Sequence, residues 1–405
     1  MSELSQPTLR FKSFKDSWQD TPITNIAEIV GGGTPSTNNN EYWNGSINWF
    51  TPTEIINKYA FSSQEKITEL GLHKSSAKML PVGSILFTSR ASIANISIST
   101  EECSTNQGFQ SFIVKDYLCR DFVYYSIMFN EKKFHRFSQG STFKEVYKKD
   151  ILKIIFKIPS ITEQQKIACF LSVVDKKIKL LTKKLELLER YKKGIMQKIF
   201  SQEVRFKQDD GTDFSDWKSN ELNQIFQSKR GSGITKDEIE GNGKYKCILY
   251  GELYTKYNEN IKNVLSKTDI DGKVKSKSGD LLIPCSTTTS AIDLAVSSCV
   301  NEENIRIGGD ITILRLIKDF SPLFFSYYLT HYKKKEIAKF AQGTTIVHLY
   351  YKHFQKIELH VPVSEVEQQK IASFLSAVDK KIDLTQQQIE KTQNFKKGLL
   401  QQMFV

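Results

Sequence analysis

In two stretches of this chain, apolar residues recur in alternating steps of four and three. The first stretch carries Ile167, Leu171, Val174, Ile178, Leu181, Leu185, Leu188, Ile195 and Ile199, with Lys192 as the interruption beside Tyr191. The second carries Ile371, Leu375, Val378, Ile382, Ile389, Leu399 and Met403, and sets Thr385 and Thr392 on the same stripe. This is the heptad seam of a coiled coil. Neither stretch contains proline, each has one late glycine (Gly194, Gly398), and Glu163 and Glu367 fall in the first turn, where the helix dipole favours an anion. A single stripe would do for a helix lying on a core. Two matched stripes in one chain each supply the partner the other needs.

The stretches are copies of one another. EQQKIACFLSVVDKKI (163–178) returns as EQQKIASFLSAVDKKI (367–382), with 14 of 16 positions identical at an offset of 204. The match runs without a gap to Phe200 and Phe404, giving 21 identities over 38 positions. Weaker echoes come before it in the same order: LRFK (9–12) and VRFK (204–207), KDSW (15–18) and FSDW (214–217), FSQGSTF (137–143) and FAQGTTI (340–346), IFKIP (155–159) and ELHVP (358–362). Between these anchors the halves diverge. A repeated unit of about 200 residues is therefore the first fact of the architecture.

Chain continuity constrains how the units are arranged. A helix of 38 residues is roughly 57 Å long, and only four residues separate Phe200 from the next VRFK. The second domain must then begin where the first helix ends, and pairing the seams sends the second helix back. The expected fold is mixed α/β, with two globular domains separated by two long antiparallel coiled-coil helices and related by a pseudo-two-fold axis. The expected boundaries are 1–162 and 201–366 for the domains, and 163–200 and 367–405 for the helices. Within the domains, Gly83–Ser89 and Gly279–Cys285 read as apolar strands entered through a glycine turn. Gln110–Val114 and Ile311–Leu316 read as further strands, and residues 119–136 and 322–339 as helical, with Tyr124/Tyr125 matched by Tyr327/Tyr328.

Composition narrows the class. The 405 residues are 39% hydrophobic and 25% charged, which is globular. No apolar run approaches a bilayer span and MSELSQPTLRFK is no signal peptide, so a cytoplasmic protein is expected. The six cysteines (Cys103, Cys119, Cys169, Cys247, Cys285, Cys299) form no CxxC pair and read as free thiols. Net charge is +12, which leaves a polyanion partner open.

The chemistry-bearing motifs are mostly missing. There is no GxxxxGK[ST] for a P-loop, no [ND]PP[YF] for an adenine methyltransferase and no HExxH; the six histidines (His73, His135, His331, His348, His353, His360) show no zinc spacing. GGGTPST (31–37) reads as a tight turn after a strand, and Asp269-Ile-Asp271-Gly-Lys273 as a solvated turn among lysines. No catalytic residue, metal or cofactor is expected. The charge is concentrated instead. Residues 130–157 hold eight Lys/Arg against three acids, and residues 331–356 six against one; both runs surround a small-polar loop, QGST (139–142) or QGTT (342–345). Lysines there can anchor phosphates while a glycine lets backbone N–H groups approach a nucleic-acid strand.

With these residues in hand, the chain resembles the specificity subunit of Type I restriction-modification systems over nearly its whole length. The resemblance is carried by GGGTPSTNNNEYWNGSINWFTPTEI (31–55), PVGSILFTSRASIANISI (81–98), STNQGFQSFIV (104–114), QGSTFKEV (139–146) and the doubled EQQKIA helix start. The second domain departs from the pattern, with KRGSGIT (229–235) and IGGDITI (307–313) at the corresponding places, and Arg90 aligns with Thr289. The resemblance implies a non-catalytic subunit that binds double-stranded DNA, each domain reading one half of a bipartite target. The helices would set the unread spacer and dock the methyltransferase subunits, two of them, which join translocase-endonuclease subunits in the cytoplasm of a bacterium or archaeon, at the nucleoid. A fused methylase or nuclease and a coiled-coil adaptor with two protein-binding heads are the rival readings.

Candidate DNA contacts are small-polar or cationic residues beside turns. In the first domain they are Thr51, Thr53, Ser89, Arg90, Asn106, Gln107, Gln139, Gly140, Ser141 and Thr142, with Lys144 and Lys148 on phosphates. In the second they are Ser286, Thr287, Thr288, Arg306, Gln342, Gly343, Thr344, Thr345, His348 and Lys352. Arg90 is the sharpest candidate, because a guanidinium can grip guanine O6 and N7 together.

Overall fold

The computed structural model describes residues 6–90, 92–138 and 144–405, so the predicted contacts Gln139–Thr142 lie outside the described residues. It divides into two compact units. The first comprises residues up to Thr182 together with Gln387–Val405, and the second Lys183–Gln386.

The first unit holds β1 (Gln19–Pro22), β2 (Ala27–Gly31), β3 (Trp43–Phe50), β4 (Tyr59–Ala60), β5 (Glu65–Ile67), β6 (Ile85–Phe87), β7 (Ile96–Ser99), β8 (Cys103–Thr105), β9 (Gln110–Val114) and β10 (Ile155–Ile158). They form a five-stranded sheet in the order β2-β9-β6-β7-β4, a three-stranded sheet β5-β3-β8 and the pair β1-β10.

The second unit holds β11 (Lys218–Glu221), β12 (Phe226–Arg230), β13 (Tyr245–Ile248), β14 (Asn260–Ile261), β15 (Ser266–Thr268), β16 (Asp280–Pro284), β17 (Ser286–Thr287), β18 (Ser298–Val300), β19 (Arg306–Ile307), β20 (Ile311–Leu316), β21 (Val347–His348) and β22 (Glu358–Val361). Its sheets run β12-β20-β16-β18-β14, β15-β13-β19, β11-β22 and β17-β21. The first three repeat the order of the first unit strand for strand. Gly83 (φ +86°) and Gly279 (φ +84°) open β6 and β16 in the left-handed region, where a side chain would be strained.

The predicted helical stretch 119–136 is two helices, Arg120–Phe129 and Glu131–Arg136, broken at Asn130. The stretch 322–339 starts as Pro322–Tyr327, widens to a π turn over Tyr328–Tyr332 and ends as Lys334–Ala338. The heptad stretches are the long helices Ile161–Phe200 and Glu365–Met403. In each unit they run antiparallel. In the first unit Ile167, Leu171 and Val174 share one core with Leu399, Met403 and Phe404, and Lys177 lies beside Lys391 and Phe395. In the second, Met196, Ile199 and Phe200 share a core with Ile371, Ala372 and Leu375. Phe404 stacks on Phe122 with ring centroids 5.2 Å apart, and Phe200 meets Tyr328 edge-on at 5.3 Å. Burying such a ring contributes about 1.5–3 kcal/mol, so the helix ends belong to the domain cores. The seam threonines Thr385 and Thr392 are buried, and each hydroxyl donates to the carbonyl four residues back, at 2.7 and 2.6 Å.

The repeated sequence anchors prove to be one set of polar contacts made twice. Glu163 and Glu367 are buried, and each accepts a two-pronged grip from an arginine of the RFK motif. Arg10 Nε and Nη2 donate at 2.7 and 2.8 Å to Glu163, and Arg205 Nη2 at 3.0 Å to Glu367. Gln164 and Gln368 each bridge the preceding proline carbonyl (2.9 and 2.8 Å) to the first amide of a domain helix, donated by Cys119 N or Ser321 N at 2.9 Å. Asp175 accepts from the Tyr125 hydroxyl and pairs with Lys396, both at 2.6 Å. Asp379 accepts from Tyr327 at 2.5 Å and pairs with Lys192 at 2.7 Å. The lysine that interrupts the seam is thus the cross-helix ion partner. Burial, and then the adjoining aspartate, push both tyrosine hydroxyls well above their ordinary range.

One position in this junction differs in sign. Cys299 N donates to the Glu259 carbonyl at 2.8 Å as Ile98 N does to the Lys58 carbonyl at 2.7 Å, so Glu259 and Lys58 are equivalent. Burial alone would raise the Glu259 carboxyl, but the hydrogen bond to His331 and the charge of Lys192 hold it down, to about 2 from 4.5. A depressed carboxyl stabilises the fold above its unfolded value and loses that contribution as pH falls towards the folded one. Glu259→Gln should therefore narrow its stability deficit against the parent by on the order of 3 kcal/mol between pH 4.5 and pH 2. Urea midpoints across that range measure it, and parallel acid curves for the two proteins would contradict the assignment.

Candidate nucleic-acid interface

Beyond β6 and β16 the backbone of the two units stays superimposable in its hydrogen bonds. Ser89 N donates to the Gly108 carbonyl (2.8 Å), and Ser89 O accepts from Val146 N (2.9 Å). Cys285 N donates to the Asp310 carbonyl (2.7 Å), and Cys285 O accepts from Leu349 N (2.9 Å). Ser89 therefore corresponds to Cys285. The next residues face a cross-strand partner in each unit, Arg90 opposite Glu145 and Ser286 opposite His348. This corrects the sequence alignment of Arg90 with Thr289: the spatial counterpart of Arg90 is Ser286.

On this shared backbone the side chains differ. Arg90 is exposed and its Nη2 reaches Glu145 Oε2 at 2.8 Å. At the same place in the second unit, Ser286 Oγ lies 3.1 Å from His348 Nδ1 and donates to Asp310 Oδ2 at 3.1 Å. His348 stacks on Tyr350 with centroids 5.5 Å apart. Two flanking residues are common to both units: Tyr147 with Lys149 Nζ 5.8 Å from its ring, and Tyr350 with Lys352 two residues on. Tyr350 and Lys352 line a cavity of about 330 Å³ with Ser228, Lys229, Arg230 and Thr312.

The remaining predicted contacts divide by what already holds them. In the first unit, Lys144 and Lys148 are exposed beside Glu145. Gln107 accepts from Thr34 Oγ1 of the glycine-rich loop, and Asn106 Oδ1 accepts from Gly108 N at 2.8 Å. Thr51 caps its own turn, its hydroxyl 2.7 Å from Glu54 Oε2 and 3.1 Å from that of the exposed Thr53. Ser89 is buried.

In the second unit, Gln342, Gly343, Thr344 and Thr345 form an exposed loop closed by paired Gln342 and His348 backbone bonds (2.8 and 2.7 Å). Its glycine is demanded by the loop itself: at φ +113°, a Cβ on Gly343 would stand 2.0 Å from the Ile346 carbonyl oxygen. Thr287 is buried and Thr288 exposed. Arg306 is committed inward, its Nε and Nη2 on Asp271 Oδ1 (3.0 and 2.6 Å) and its guanidinium 3.9 Å over Tyr245. Asp271 is thereby an ion partner. Among the described residues no group of three His, Cys, Asp or Glu could hold a metal ion. Sequence reasoning missed Arg230 and Tyr350. The KRGSGIT segment marked the arginine as a departure from the pattern, but only the sheet register places it at the tip.

Each unit thus carries, on one repeated frame, a tip of common backbone and different side chains. The family model for the Type I restriction modification DNA specificity domain matches residues 15–190 and again 214–394, and the chain belongs to that family. It is 29% identical over 402 residues to the Type I restriction enzyme MjaIX specificity subunit of Methanocaldococcus jannaschii, covering 95% of this chain and 91% of that one. It is 29% identical over 174 residues to the EcoR124I/EcoR124II specificity subunit of Escherichia coli, covering 41% and 43%. The solved S subunit from M. genitalium shares the fold at a TM-score of 0.62 and 17% identity, covering 99% of each chain. A structure described as the basis of complex assembly and conformational transition of the type I R-M system follows at 0.59 and 16%, covering 95% of each. No helix among the described residues is long and apolar enough to cross a membrane.

Proposed function

We propose that the two DNA specificity domains of this Type I restriction-modification specificity subunit each read one half of a bipartite double-stranded target. The domains span residues 1–162 and 201–366, and the helices 163–200 and 367–405 set the unread spacer. The helices also dock methyltransferase subunits, which do the chemistry, with translocase-endonuclease subunits in the full cytoplasmic complex. The observation that carries this reading is the tip: equivalent backbone bears Arg90 and Glu145 in one domain and Ser286 and His348 in the other. Each base edge needs its own donors and acceptors, so two readers of different half-sites must differ there. Lys144, Lys148 and Lys352 stand beside those pairs to hold phosphates, and the exposed loop 342–345 approaches the backbone. Off the seam, the long helices keep apolar side chains exposed, Phe170, Val173 and Leu180 in the first unit and Leu187, Tyr191 and Leu384 in the second, suited to protein partners.

The test exchanges residues 205–362 for the matching domain of a relative and maps methylated sites in cells that carry the partner methyltransferase. One half of the motif should change and the other stay. A change in both halves would refute the modular reading.

A further inference from the structure

The two tips share a property that the sequence alignment hides. Each presents one exposed arginine held by one carboxylate, but from a different strand. In the first unit it is Arg90, just past β6, with Glu145. In the second it is Arg230, the last residue of β12, whose Nη2 donates to Asp310 Oδ1 at 2.6 Å. The strand register makes Arg230 the counterpart of Gly31: Arg230 pairs with Thr312 as Gly31 pairs with Gln110. Asp310 in turn stands where the first unit has Gly108, as the Cys285 and Ser89 amide bonds show. The arginine and its carboxylate thus replace two glycines together. Asp310 even takes a left-handed φ of +56°, a conformation aspartate tolerates better than most residues, and the Ser286 hydroxyl bonds its other oxygen at 3.1 Å.

Arg230 is pre-set rather than spent. Its guanidinium lies 5.3 Å over the Tyr350 ring, its side chain is 59% exposed, and Nη2 alone is engaged among the described residues. It opens on the cavity lined by Lys229, Tyr350 and Lys352. The contrast with Arg306, which is buried on Asp271, separates a reading arginine from a structural one.

We infer that Arg230 is the base-reading arginine of the second domain, gripping a guanine edge from a strand that carries glycine in the first domain. The assignment rests on the proposed function and adds a specificity determinant to it. Because Arg90 and Arg230 leave the frame from different strands, the guanines they contact occupy different steps of their half-sites relative to the shared Tyr–Lys pair.

The experiment uses the full chain assembled with its partner methyltransferase. Binding is measured against duplexes in which each base pair of the second half-site is replaced in turn, for Arg230→Ala, Arg230→Lys and, as comparator, Arg90→Ala. Arg230→Ala should flatten the preference for guanine at one position by roughly 5- to 150-fold, and leave the first half-site as it was. Arg230→Lys keeps the charge without the fork, and should relax the same position with less loss of overall affinity. Uniform weakening on every duplex would make Arg230 a phosphate contact, and loss of all binding in both variants a structural residue; either result, or no change at all, overturns the assignment. If Arg90→Ala and the domain exchange still alter the motif, the proposed function stands and only this inference falls. If none of them alters it, the proposed function falls as well.

Discussion

Replacing Glu367 with alanine is expected to destabilise the second unit by about 3–5 kcal/mol, the usual cost of removing one partner from a buried ion pair. Glu367 is 1% exposed and accepts from Arg205 Nε and Nη2 at 3.2 and 3.0 Å and from Trp217 Nε1 at 3.2 Å. Without it the Trp217 indole N–H is left unpaired in a buried site, and the half-buried Arg205 guanidinium keeps only the Phe214 and Ser215 carbonyls and the exposed Asp216 beside it. For a unit of this size the deficit corresponds to a fall in Tm of roughly 10 °C. Glu367→Gln should recover part of it, because the amide oxygen can still accept from the indole. Calorimetry on the full chain is the measurement. A shift of under about 2 °C for the alanine variant would show that the clamp is dispensable and leave its recurrence as Arg10–Glu163 unexplained.

The second large effect concerns the helices as a ruler. If the spacer is set by helix length, four residues inserted after Leu188 add roughly 6 Å, close to two B-DNA steps of ~3.4 Å. They also amount to nearly one turn, so the seam is only mildly rotated. Such a variant should keep both half-sites and methylate targets with a longer spacer. Two inserted residues turn the seam by about 200°. That change would take the seam residues Leu185 and Leu188 out of line with Ile195 and Ile199, and this variant should lose methyltransferase assembly or DNA binding. Methylated-motif mapping of both reads the outcome. An active four-residue variant with an unchanged spacer would sink the ruler.

Much of the architecture was legible because it is periodic. The seam predicted both long helices, and the apolar runs predicted the strands at 110–114 and 311–316 to the residue. The repeated EQQKIA and RFK anchors announced one frame used twice. Their purpose was not legible. Glu163 and Glu367 read as helix-dipole partners, whereas they are buried acceptors for Arg10 and Arg205, more than 150 positions away in sequence. Lys192 read as a flaw in the seam and is the ion partner of Asp379. Heptad spacing reports which face of a helix is dry; it carries no information about which distant side chain meets a charge there.

The sequence by itself determined the repeat, the mixed α/β domains, the paired helices and the family, since each follows from local spacing or from identities along the chain. Tertiary structure alone decided the tips. Arg90, aligned in sequence with Thr289, is matched in space with Ser286; Arg306 turns inward; Arg230, placed by its register on Thr312, turns outward. The physical reason is that the tip residues are joined by backbone hydrogen bonds between separate segments of the chain, Ser89 to Gly108 and Val146 in one unit and Cys285 to Asp310 and Leu349 in the other. Counting on from the paired Gly83 and Gly279 also reaches Ser286 from Arg90, but only the strand register shows that Arg230 stands opposite Thr312 at the edge of that same tip.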